Sequence, residues 1–256
     1  TPIQAETIPP LLAGRDVLGC AQTGTGKTAA FALPILQHIS ERPSLSKRPY
    51  IRALVLAPTR ELAAQIGTSF EAYSQFLKIR QTVIFGGVRP SSQIQALKRG
   101  VDILVATPGR LLDLQEQGFV DLNQVEFFVL DEADRMLDMG FINDIRRIIK
   151  LLPERRQNLL FSATMPRSIA KLADSVLVQP FRFHIAPRKS VIPEIQQEVM
   201  FVEQQKKRHL LIQIIRENQV EQAIVFMRTK HRANRLAQQL NRARISVEAI
   251  HGNKSQ

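Results

Sequence analysis

Asp16-Val17-Leu18-Gly19-Cys20-Ala21-Gln22-Thr23-Gly24-Thr25-Gly26-Lys27-Thr28 is the stretch on which the fold turns. An apolar run ends in a Gly/Thr loop and is followed by the helix-compatible Ala29-Ala30-Phe31-Ala32-Leu33. That is the strand, loop and helix order of a phosphate cradle. Gly24 and Gly26 have no Cβ, so the backbone turns tightly and several N–H groups converge on phosphate oxygens. The positive end of the following helix adds to that field. Lys27 is placed to reach the outer phosphates, and the Thr28 hydroxyl to ligate a Mg²⁺ that bridges them. Ala21 stands where the usual pattern has its first glycine.

Outward from this loop, short runs rich in Val, Ile, Leu and Phe recur at 16–20, 53–57, 82–85, 102–106, 126–130, 158–161 and 223–226. Each is followed by a polar or glycine cluster and then by helical spacing. Near-continuous apolar strands alternating with helices predict a parallel sheet covered on both faces. Ligands of such sheets bind beyond the carboxyl ends of the strands. The 256 residues exceed the usual size of one domain. Ala-Pro-Arg-Lys-Ser-Val-Ile-Pro at 186–193 interrupts the pattern and reads as a linker. Beyond it the spacing predicts strands at 198–202, 223–226 and 247–250, with helices at 206–216 and 229–240, an unfinished α/β unit.

The formal charge of +12 points to a polyanionic partner. The segment from Ala186 onward is the more basic, with thirteen Lys and Arg against six Asp and Glu. A lone cysteine, Cys20, permits no intrachain disulfide, and the first residues show no signal core. Both suit a cytoplasmic protein. No apolar run is long enough to span a membrane. His38, His184 and His209 have no carboxylate or cysteine at ligand spacing, so no metal is assigned to them.

Asp131-Glu132-Ala133-Asp134 follows the apolar Phe127-Phe128-Val129-Leu130. A carboxylate at a strand end is what a phosphate-cradle enzyme needs as a second metal-orienting group. Asp131 is predicted to hold Mg²⁺ through water, and Glu132 to orient or deprotonate the attacking water. Two adjacent carboxylates repel unless a cation compensates them.

The ordered clusters Ala21 to Thr28, Pro58-Thr59-Arg60-Glu61-Leu62, Gly86-Gly87, Thr107-Pro108-Gly109-Arg110, Asp131 to Asp134 and Ser162-Ala163-Thr164 resemble the first RecA-like domain of the DEAD-box RNA helicases. Val225 to Lys230 resembles that family's motif IV. Thr229-Lys230-His231 and His251-Gly252-Asn253-Lys254-Ser255-Gln256 resemble the bacterial RhlE-type subgroup. The resemblance implies an α/β, RecA-like domain of P-loop NTPase type over 1–185, a linker at 186–194, and the start of a second RecA-like domain over 195–256, with the sequence truncated at both ends. It implies ATP and Mg²⁺ as cofactors, with Ala21, Gln22, Thr23, Gly24, Thr25, Gly26, Lys27 and Thr28 around the phosphates. Thr28 and Asp131 hold the metal, and Gln4 reads the adenine edge. Catalysis falls to Lys27, Asp131, Glu132, Ser162 and Thr164, with Asp134 coupled to Ser162 or Thr164.

RNA is the implied partner, gripped without base reading by Pro58, Thr59, Arg60, Gly86, Gly87, Thr107, Pro108, Gly109, Arg110, Arg228 and Thr229. Thr59 and Thr107 each stand where a helix follows a strand, Pro108 suits a first helical turn, and the glycines admit a sugar-phosphate chain. The expected activity is local unwinding of short duplexes by closure of two RecA-like domains around ATP and RNA. The family's transition-state arginines lie in later motifs, and such a residue is worth on the order of 10³ to 10⁵ in rate. This sequence alone is therefore expected to bind ATP and RNA but to turn over poorly. A nucleotide-dependent RNA-binding module without hydrolysis and a DNA helicase are the alternatives.

Overall fold

The computed structural model describes residues 1–22, 24–43, 49–184 and 196–252. Thr23, the linker expected at 186–194 and the last four residues of the 251–256 block lie outside them. The chain divides into two compact units, Thr1–Ser190 and Val191–Gln256.

The first unit runs α1 (Pro2–Leu12), β1 (Val17–Cys20), α2 (Lys27–Glu41), β2 (Ala53–Leu56), α3 (Arg60–Tyr73), β3 (Gln81–Ile84), α4 (Ser91–Arg99), β4 (Ile103–Ala106), α5 (Pro108–Glu116), β5 (Phe127–Leu130), α6 (Ala133–Asp138), α7 (Ile142–Leu151), β6 (Gln157–Ser162), α8 (Arg167–Val176) and β7 (Phe181–His184). The described strands form one parallel sheet in the order β3-β4-β2-β5-β6-β1-β7. This is an α/β, RecA-like architecture.

Period-two alternation distributes the apolar strand residues between two cores. Leu18, Leu54, Leu56, Leu104, Phe128, Leu130 and Leu160 face α4 to α8. Val17, Ala53, Val55, Ile103, Val105, Phe127, Val129 and Leu159 face α1 to α3. Burial on both faces explains why these strands read as continuous apolar runs. The register places Leu56 level with Ala106 and Leu130, Leu130 with Leu160, and Leu160 with Leu18. The polar clusters after β2, β4, β5, β6 and β1 therefore emerge along one edge of the sheet. β6 lies between β5 and β1, and its Ser162 carbonyl accepts the Ala21 N–H at 2.9 Å.

Strand β7 was not foreseen. Phe181-Arg182-Phe183-His184 alternates half-buried and exposed residues on the sheet edge beside β1, and four alternating residues make a weak signal. In the second unit the described residues form α9 (Lys207–Glu217) and α10 (Lys230–Arg242) but none of the three expected strands. Apolar composition favours an extended chain, but a strand also needs a hydrogen-bonded neighbour. Ile224, Phe226 and Ile250 are 83%, 90% and 96% exposed instead.

Candidate active site and nucleic-acid interface

The loop after β1 turns through Gly24 at φ +81° and Gly26 at φ +96°, left-handed values that favour glycine. Gly26 caps α2, and a Cβ there would lie 2.6 Å from the Gln4 amide nitrogen. Gln4, on α1, donates from Nε2 to the Gly26 carbonyl at 3.1 Å. Its amide thus bears on the phosphate loop itself. The Thr25 hydroxyl donates to the Gln22 carbonyl at 2.8 Å and closes the turn.

Lys27 begins α2 and is buried. Its Nζ donates to the Ala21 carbonyl at 3.1 Å and lies 3.9 Å from Asp131 Oδ1. Gly24, Gly26, Lys27, Thr28, Asp131 and Glu132 line a cleft of about 350 Å³ together with Leu62 and Gln65 of α3. Leu62 closes the Pro58 to Leu62 cluster, whereas Gln65 lies outside every cluster singled out in the sequence. They stand three residues apart and so share a helix face, but only the packing of α3 turns that face to the cleft.

Asp131 ends β5. Burial pushes its carboxyl up to about 6, Lys27 opposes the shift, and Glu132 reinforces it. Its Oδ1 accepts the Glu132 N–H at 3.0 Å. Glu132 has left-handed backbone angles, φ +53° and ψ +52°, at the start of α6, and its Oε2 accepts from Arg135 Nη1 at 3.2 Å. A hydroxyl and a buried carboxylate at one cleft supply the hard oxygen ligands that Mg²⁺ prefers, so Thr28 and Asp131 fit that ion.

Asp134 faces the end of β6. The Thr164 hydroxyl and N–H each donate to Asp134 Oδ2 at 2.8 Å, and the Asp134 N–H donates to Ser162 Oγ at 3.2 Å. Ser162 in turn donates to the Thr164 carbonyl at 2.8 Å. Burial alone would raise the Asp134 carboxyl, but hydrogen bonding with Thr164, and to a lesser extent Ser162, holds it below its usual range. Cys20, at the end of β1, donates weakly to the Ala163 carbonyl at 3.6 Å. Burial pushes that thiol up, with Asp134 adding to the shift and Lys27 opposing it.

Along the same edge, Thr59 caps α3 and accepts the Leu62 N–H at 3.2 Å. Thr107 precedes α5, with Pro108 in its first turn. Pro58 follows Ala57 at the end of β2, and Gly109 meets no atom where a Cβ would stand. Gly86 and Gly87 follow β3, and Arg60 leaves its guanidinium partly exposed beside Gly87. Arg110 is among the residues that the resemblance implies for RNA. Its guanidinium is turned in, onto Gln93, the Val88 carbonyl and Asp113. In the second unit Thr229 caps α10 by accepting the Arg232 N–H at 3.3 Å, with Arg228 exposed before it.

A family model described as "DEAD/DEAH box helicase" matches residues 1–172. The chain belongs to this family. Over all 256 residues it is 43% identical to proteins named "DEAD-box ATP-dependent RNA helicase CshA" from Bacillus cereus (strain ATCC 10987 / NRS 248), Geobacillus kaustophilus (strain HTA426) and Bacillus subtilis (strain 168). It covers 48%, 54% and 51% of their lengths, so it spans about half of these curated relatives. The RhlE-type expectation finds no support in them.

For a DEAD-box helicase the raised Asp131 carboxyl has a cost in stability. A carboxyl raised on folding binds its proton more tightly in the folded chain, so stability falls as pH rises from the ordinary 3.8 to about 6 and the full cost is present above that. The shift corresponds to about 3 kcal/mol. Without nucleotide or Mg²⁺, Asp131→Asn should therefore raise the melting temperature at about pH 8 and give no gain at about pH 4. Equal effects at the two pH values in a thermal-denaturation series would refute the assignment.

Proposed function

We propose that this chain binds ATP and Mg²⁺ in the cleft between the 21–28 loop and Asp131-Glu132, binds RNA along the adjacent loops, and forms part of an ATP-dependent RNA helicase. The observation that carries the proposal is the convergence of Lys27, Asp131 and Glu132 on one cleft at the carboxyl ends of β1 and β5. The phosphates lie over the Gly24 to Thr28 backbone, and Lys27 exchanges its Ala21 contact for the outer phosphate oxygens. Thr28, and Asp131 through water, would hold Mg²⁺, which would supply charge neutralisation at the transferring phosphoryl group. Glu132 takes a proton from the attacking water. Gln4 contacts the adenine edge as well as the loop.

Asp134, Ser162 and Thr164 join the acidic cluster to the end of β6, and motion there is passed to the RNA-binding side. The helix starts at Thr59 and Thr107, with Arg60 and the Gly86-Gly87 backbone, hold the RNA sugar-phosphate chain without reading bases. Residues 195–256 are the start of a second RecA-like domain, which brings Arg228 and Thr229 to the same strand on closure and unwinds short duplexes locally. The basic charge and the single buried cysteine suit a cytoplasmic RNA-binding protein.

ATP hydrolysis measured with single-stranded RNA and with DNA of the same sequence, at fixed salt, tests the reading. RNA should stimulate phosphate release and DNA should not; equal stimulation would point to a DNA helicase. Nucleotide-dependent RNA binding without phosphate release would instead identify a non-hydrolysing module.

A further inference from the structure

The loop between β3 and α4 contains adjacent glycines, Gly86 and Gly87, and two side chains tie down its ends. Gln93, on α4, is 7% exposed and uses both ends of its amide. Its Nε2 donates to the Phe85 carbonyl at 3.2 Å, and its Oε1 accepts from Arg110 Nη1 at 3.0 Å. Arg110 Nη2 donates to the Val88 carbonyl at 3.0 Å, while its Nε lies 3.4 Å from Asp113 Oδ2. The carbonyls on either side of Gly86-Gly87 are thus both held by one glutamine and arginine pair, anchored in the first turn of α5. On the other flank Gly87, at φ +81°, packs so closely on Arg60 that a Cβ would stand 2.6 Å from Nη1.

We infer that Gln93 is a positioning residue for RNA: with Arg110 it braces the Gly86-Gly87 loop between the starts of α3 and α5, and Arg110 serves that brace rather than a phosphate. The inference rests on the RNA-binding reading above. Adjacent glycines give a backbone with the most freedom to lose, and a loop that offers N–H groups to a sugar-phosphate chain must be ordered before or during binding. Ordering it in advance removes that cost from the binding step. The Arg110 side chain is only 10% exposed. Turning it outward to a phosphate would release the exposed Val88 carbonyl and strip the buried Gln93 amide oxygen of its donor, and a buried acceptor is costly to leave unpaired. Gln93 lies four residues before the buried Leu97 on the same helical stripe, a polar residue at a core position.

Fluorescence anisotropy with a short labelled single-stranded RNA across a salt series tests the inference. Gln93→Leu should weaken RNA binding roughly tenfold while ATP affinity stays unchanged. The slope of log affinity against log salt should not change, because no phosphate contact is lost. Arg110→Gln should weaken binding with the same unchanged slope, and the double variant should be no worse than the weaker single one. Arg60→Gln should lower the slope by about one.

Wild-type RNA affinity in Gln93→Leu, or a slope reduced by about one in Arg110→Gln, would overturn the brace. If Gln93→Leu does not fold, Gln93→Glu carries the test: it keeps the acceptor for Arg110 and loses the donor to Phe85, so RNA affinity should still fall at unchanged ATP affinity. Failure of the unsubstituted chain to bind RNA would overturn the functional reading and the brace together. RNA binding that Gln93→Leu and Gln93→Glu leave intact would overturn the brace alone.

Discussion

Glu132→Gln should slow ATP hydrolysis by roughly 10²- to 10⁴-fold, the usual contribution of a general base, and leave ATP affinity within a few-fold. The position is built for that role. Glu132 follows a buried carboxylate, lines the cleft, and holds left-handed backbone angles that a non-glycine residue adopts at a cost of order 1–3 kcal/mol. Arg135 holds one carboxylate oxygen at 3.2 Å. Glutamine keeps the shape and an oxygen for Arg135 but does not take up a proton. The variant should therefore fold and bind nucleotide while hydrolysis alone is lost. Single-turnover phosphate release together with fluorescent-nucleotide binding measures both quantities, and a rate within a few-fold of the parent would remove Glu132 from the base role.

Lys27→Ala should weaken ATP binding by roughly 10- to 100-fold, the range for one charge-assisted hydrogen bond in a buried site. A second consequence separates it from a generic loss of charge. Among the described residues, Lys27 is the cation that opposes the rise of the Asp131 carboxyl. Without it that carboxyl rises further, and the unliganded chain loses stability chiefly above about pH 6. Adding Asp131→Asn should recover most of that loss and none of the ATP affinity. Calorimetric titration with ATP and thermal denaturation across pH, on the two single variants and the double, check the coupling; additive stability effects would argue against it.

β1, β2, β4, β5 and β6 were legible because burial on both faces writes them as continuous apolar runs, the edge strand β3 because Val83-Ile84-Phe85 is unbroken apolar sequence, and the phosphate loop and acidic cluster because each is contiguous. β7 was not, since Arg182 and His184 leave it no continuous apolar run. The second unit was over-read for the converse reason: Phe226 and Ile250 have strand composition without a strand beside them. Gln65 and Gln93 were not legible either: an amide pairs with almost anything, and only the fold sets Gln65 on the cleft and Gln93 against the Phe85 carbonyl. Arg110 shows the limit from the other side. Its type announces a charge, but only the folded arrangement shows that Gln93, Val88 and Asp113 have already claimed it.

The solitary thiol at the end of β1 has a practical meaning. Cys20 is the one cysteine in the sequence, buried, and its thiol is held in the protonated form by its surroundings. Alkylating dyes react with thiolates, so they should pass it by. A cysteine introduced at an exposed position such as Glu154 then offers a single site for a fluorophore, and the native background need not be engineered away.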